Sequence, residues 1–215
     1  VPLPHQQEPL AFGTRPDDDR WTAFVAGTRM AFISVQADEA EYYTKIESKQ
    51  EQTKLAQGLP NVGDSSKSNK REAETVARLI HTLCQLYSRS GIPFSPCKQI
   101  GIIVPFRAQI AMIRKALAER HIPDTADITI DTVERYQGSQ RDIIIFSTTV
   151  SRPYQLSILS EPVMTDGREI DRKLNVALTR ARKQFFMTGN ETLLRNCTAY
   201  RKFLDFLSKE QILRL

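Results

Sequence analysis

The chain has 215 residues, of which 40% are hydrophobic and 26% charged, and its net charge at pH 7 is +5. That length allows one large domain or two small ones around a real core, and no apolar run approaches the roughly 20 residues a bilayer span needs. The mild basic excess is compatible with a nucleic-acid partner without demonstrating one. The first residues, V-P-L-P-H-Q, lack both a signal-peptide pattern and an initiating methionine, so the sequence reads as a piece of a longer protein. Cys84, Cys97 and Cys197 are dispersed, which fits a reducing, cytoplasmic setting better than a disulfide framework. His5, His81 and His121 show no ligand spacing, so no protein-built metal site is expected.

In chain order, residues 1–28 carry prolines and an Asp17–Asp19 run, and read as an irregular lead-in whose apolar residues dock on the domain. Met30–Val35 is the first strand. Residues 36–50 are polar with poor periodicity, and 51–68 read as a mobile loop. Within that loop Gly58 to Ser65 matches the phosphate-loop pattern except that Asp64 stands where the lysine belongs. A carboxylate there repels phosphate, and no strand precedes it, so the segment is not a nucleotide site and the domain lacks a phosphate loop of its own. Asn69 and Glu72 resemble a capping box opening a helix with Val76, Leu79, Ile80, Leu83, Leu86 and Tyr87 inward. Gly91 and Pro93 end it.

Ile100–Val104 has the continuous apolar character of a strand buried on both faces. Ala108–His121 is the next helix, with Ile110, Ile113 and Leu117 inward. Ile128–Asp131 is a short strand that feeds a polar turn region, and Asp142–Val150 is the strongest buried strand. Residues 151–169 form a long connection with a turn at Asp166-Gly167. Asp171 then opens D-R-K-L-N-V-A-L-T-R-A-R-K, a helix with Leu174, Ala177, Leu178 and Ala181 on one face and Arg180 and Arg182 on its flanks. Such a helix suits phosphates, although on pattern alone solvated arginines are the commoner case. Gln184–Gly189 is a strand, and Ala199–Leu207 a last helix. Alternating strands and helices imply an α/β fold with a mainly parallel sheet covered on both faces. Ligands of such sheets gather at the carboxyl ends of strands, where Pro105–Gln109, Thr132–Asp142 and Thr148–Arg152 are placed.

Four segments resemble a known family: N-K-R-E-A-E-T-V at 69–76, I-G-I-I-V-P-F-R-A-Q at 100–109, I-T-I-D-T-V-E-R-Y-Q-G at 128–138 and R-K-L-N-V-A-L-T-R-A-R at 172–182. In order and spacing they are similar to the second, C-terminal RecA-like domain of superfamily 1 helicases, in the branch that includes the nonsense-mediated-decay helicase. The last three look like helicase motifs IV, V and VI. The resemblance implies a P-loop NTPase-type RecA-like fold over 29–215 and one half of an ATP-driven motor. ATP and Mg2+ would be held mainly by a first RecA-like domain of the same polypeptide, so this chain alone would not hydrolyse ATP. It further implies that Arg180 is the arginine finger, and that Gln137, Gly138, Gln140 and Arg182 lie against the nucleotide. Gln140 departs from the glutamate common in the family. Pro105, Phe106, Arg107, Gln109, Thr132 and Val133 would face single-stranded DNA or RNA, with a core role for Phe106 nearly as well supported. The extended segments 36–68 and 151–169 are departures too. The alternative is a non-catalytic RecA-like module that binds nucleic acid or a partner.

Overall fold

The computed structural model describes residues 10, 12–35, 67–136, 139–165 and 167–215. The segment 36–66, which holds most of the expected mobile loop and the Gly58–Ser65 pattern, lies outside the described residues. At the centre is a six-stranded sheet, all of whose pairings are parallel. Its strands are β1 (Met30–Ser34), β2 (Ile100–Val104), β3 (Thr129–Thr132), β4 (Arg141–Ser147), β7 (Ala181–Gly189) and β8 (Ile212–Arg214), in the order β3-β2-β4-β7-β1-β8. Helices cover both faces, the α/β arrangement of a RecA-like domain. The apolar strands separate two cores by alternation: Ile143 and Ile145 of β4 enter one, Ile144 and Phe146 the other.

The first core is closed by α1 (Arg20–Gly27), α2 (Lys70–Arg89) and α4 (Arg107–Glu119); a single helical turn, α3 (Pro96–Gln99), leads into β2. Asn69 caps α2 by accepting from the Glu72 amide at 3.1 Å, and the expected inward residues are all buried. Gly91, with φ +66°, ends this helix in a Schellman motif: its N–H reaches the Ser88 carbonyl, and the Ile92 N–H reaches Tyr87. Residues 20–27, expected to be irregular, are helical because Asp19 caps them and Trp21 has a buried site to fill. The Trp21 indole donates to Thr82 Oγ1 at 2.8 Å, and Arg78 stacks 4.2 Å above its ring. The Arg89 guanidinium pairs with Asp18 and holds that carboxyl down at about 2.

The second core lies under α6 (Arg172–Thr179) and α7 (Thr198–Phe206). The helix expected to run through Lys183 stops at Thr179, with Arg180 as its C-cap. Pairing with β4 overrides the local helical preference, and Ala181 already sits opposite Arg141 in the sheet. Residues 151–169, read as a long connection, contain a 3-10 turn (Pro153–Gln155), α5 (Leu156–Leu159) and most of an antiparallel ribbon of β5 (Pro162–Thr165) and β6 (Arg168–Asp171). The edge strand β8 was not foreseen; its three residues are too few to carry a periodic signal. Among the described residues no helix is long and apolar enough to cross a membrane, and no cluster of metal-ligand side chains forms.

Candidate functional site

Two opposite edges of the sheet collect the residues singled out from sequence. At the carboxyl edge, β2 ends in Pro105 and Phe106 and turns directly into α4. Phe106 is the N-cap but supplies no side-chain cap; its carbonyl takes the Gln109 N–H at 3.1 Å, while the Arg107 and Ala108 N–H groups and the positive end of the helix are left for solvent or an anion. Pro105, Phe106, Arg107 and Thr132 come together along a groove of about 520 Å³, joined by Lys67, Glu134, Arg135 and Ile158. Arg107 is exposed there, whereas Phe106 is 94% buried and shows the groove little more than an edge.

Gln109 and Val133 are different. Gln109 is fully buried: it accepts from the Asn69 N–H at 2.7 Å and donates to the Asn69 carbonyl and Ser147 Oγ. Val133 packs in the second core. Both side chains are committed to the interior and do not line the groove.

The amino edge holds the other set. The chain enters β4 through Gln140 and β7 through Arg180, and the Arg141 N–H donates to the Arg180 carbonyl at 3.0 Å. Register shifts between Arg141 and Ile143, a bulge that turns Arg182 outward. Gln140 sits between the arginines, making long contacts to the Thr179 carbonyl (3.4 Å) and from Arg182 Nε (3.5 Å). Arg180 is half-buried, and its Nε is buried without a hydrogen-bond partner among the described residues. Asp142, the nearby acid, is paired with Lys183 at 2.9 Å. A buried guanidinium N–H without an acceptor costs free energy unless an anion arrives to take it. Gln137 and Gly138 lie outside the described residues.

This division corrects the expectation that Thr132–Asp142 falls wholly at the carboxyl edge. Strands β3 and β4 both pair parallel with β2, so β3 ends at the carboxyl edge and β4 begins at the amino edge. Tyr136 lies between them in sequence: its ring is 98% buried in the second core, over Gly101 of β2. A Cβ at Gly101 would lie 1.7 Å from the Tyr136 hydroxyl oxygen. The glycine is thus the space that lets Tyr136 pack on β2.

Glu72 escaped sequence reasoning as a functional group. It is fully buried at the carboxyl ends of β4 and β7, accepting from Ser147 Oγ (2.8 Å), Thr188 Oγ1 (3.0 Å) and the Thr149 N–H (3.1 Å). The capping box is thereby modified: Glu72 receives the Asn69 side-chain amide at 3.2 Å, while the Asn69 backbone N–H goes to Gln109. Burial pushes the Glu72 carboxyl up to about 7 against the pull of those donors. Thr149 has φ +62°, a strained conformation for a β-branched residue, and its N–H bond to Glu72 helps hold it. The signal available in sequence was an acid one turn before Val76 on the apolar face of α2.

The AAA domain family matches residues 17–192. The chain belongs to this family. The matched range begins before α1, so the helix taken from sequence as part of a lead-in falls inside the AAA domain. Chicken putative helicase MOV-10 is 32% identical over 155 residues, covering 66% of this chain and 15% of that protein. Fission yeast DNA polymerase alpha-associated DNA helicase A is 28% identical over 159 residues, covering 73% of the chain and 21% of the relative. The bovine DNA replication ATP-dependent helicase/nuclease DNA2 is 31% identical over 139 residues, covering 64% and 12%. This AAA domain is therefore homologous to helicases, and it spans a small part of the length of each of these relatives.

Proposed function

We propose that the chain is the C-terminal RecA-like motor domain of an ATP-driven superfamily 1 helicase or translocase acting on single-stranded nucleic acid. The observation that carries this reading is the two-edged sheet. Arg180, Gln140 and Arg182 gather at the amino edge, a basic groove opens at the carboxyl edge, and Tyr136 is packed on β2 between them.

At the amino edge the donors suit phosphate oxygens. Arginine and amide N–H groups predominate, and the nearby carboxylate is already neutralised by Lys183. Magnesium would therefore be held by a first RecA-like domain that also carries the phosphate loop, with ATP in the cleft between the two. Arg180 would direct its guanidinium to the γ-phosphate and stabilise the charge that develops on the transferring phosphoryl group. Gln140 and Arg182 flank it as neutral and cationic donors, with Gln137 and Gly138 in the same segment. At the carboxyl edge, Arg107 and the amino end of α4 would hold backbone phosphates, with Pro105, Phe106 and Thr132 shaping the floor. The relatives' names support the helicase reading, and the three free cysteines suit a reducing, cytoplasmic compartment.

Half a site should not turn over. The isolated 215-residue chain is expected to show no Mg2+-dependent ATPase, while the full-length protein hydrolyses ATP faster when single strand is added. A coupled phosphate-release assay on both checks this. Turnover by the isolated chain would contradict the divided site.

A further inference from the structure

The segment 151–171 separates the last two helicase-like motifs, and nothing in the motor reading gives it work. Its first part is nevertheless rigidly built. Gln155 is buried and accepts from the Ser151 and Arg152 N–H groups, each at 2.8 Å. One helical turn on, Leu159 is fully buried in the second core. The opposite face of the same turn carries Tyr154 and Ile158, again four residues apart, 54% and 40% exposed. Two large apolar side chains held outward by two buried anchors make a pre-organised surface.

That surface borders the groove, of which Ile158 is a lining residue. Lys173 fixes it there: its Nζ donates to the Ile158 carbonyl at 2.8 Å and pairs with Glu134 at 3.0 Å. Glu134, the one acid among the described lining residues, is taken by Lys173, and Arg135 is paired with Asp131 at 3.7 Å, so the exposed Arg107 sets the sign at the amino end of α4. The groove therefore has one cationic wall, at the amino end of α4, and one apolar wall. A single strand has the matching asymmetry, phosphates along one side and unpaired bases along the other.

We propose that residues 153–159 form the base-contacting wall of the strand groove, with Tyr154 and Ile158 packing on bases while Arg107 and α4 hold the phosphates. This rests on the reading of the groove as the single-strand site. The contact is apolar and flat-faced, so it accepts any base and discriminates a strand with bases from one without.

The test uses the full-length protein and two labelled oligonucleotides of equal length, one a homopolymer and one abasic throughout, with binding followed by fluorescence anisotropy. The double variant Tyr154→Ala, Ile158→Ala should bind the homopolymer about tenfold more weakly, the scale of losing one base stack. Its affinity for the abasic strand and the salt dependence of binding should not change. Arg107→Gln should weaken both strands alike and flatten the salt dependence. If Arg107→Gln weakens both strands but the double variant weakens neither, or weakens both equally, the base-contacting wall is overturned and the groove reading survives. If Arg107→Gln leaves both affinities unchanged, the groove itself is not the strand site, and this proposal falls with it.

Discussion

Glu72 is a buried carboxyl group with no cation among its hydrogen-bond partners in the described residues, and its ionisation should be visible in the stability of the domain. Its folded value of about 7 lies above the 4.5 of an exposed glutamate, so between these limits the folded chain binds more protons than the unfolded one. The stabilisation from this group is fully present below pH 4.5 and is lost as pH rises through 7. The span corresponds to about 3 kcal/mol at most. Glu72→Gln keeps the shape and removes the titration. Denaturant unfolding at pH 5, 6, 7 and 8 should show the wild type losing stability relative to this variant as pH rises; parallel profiles would show that Glu72 titrates normally. The strained Thr149 belongs to the same cluster, and the ~1–3 kcal/mol such a conformation costs is offset partly by its bond to Glu72.

At the scale of elements, the packing of Tyr136 on β2 depends on a single missing Cβ, at Gly101. Gly101→Ala should force Tyr136 off β2 and cost about 1–3 kcal/mol by overpacking. The cost should shrink when Tyr136 is also changed to Leu, because the clashing ring is gone. Equal costs in the two backgrounds, read by equilibrium unfolding, would show that the glycine answers to something else. The same elements show what was legible beforehand. Strands β1 and β2 and helix α2 announced themselves because apolar runs and 3.6-residue spacing report burial directly. The end of α6 did not, since it is decided by pairing between Arg141 and Ala181, far apart in sequence. Nor did α1, whose helix depends on Trp21 reaching Thr82 on α2. The glycine within I-G-I-I-V was a readable sign of close approach, but its partner across the sheet was not.

For the whole molecule, the parallel topology explains both what sequence motifs located and what they misplaced. Pro105, Arg107 and Thr132 lie at the carboxyl ends of their strands, where the sequence placed them, whereas Gln140, Arg180 and Arg182 enter their strands from the opposite side. Motif order cannot show this; it follows only once β3, β4 and β7 are seen to run the same way. The separation gives the domain two surfaces, and the proposed motor reading assigns nucleotide to one and the strand to the other. The central claim is that Arg180 completes an ATP site carried mainly elsewhere. Steady-state ATP turnover of the full-length Arg180→Ala variant, measured beside fluorescent-nucleotide binding, tests it most directly. The account predicts a fall in turnover of about 10³–10⁵-fold with nucleotide affinity nearly unchanged; turnover equal to that of the wild type would contradict it.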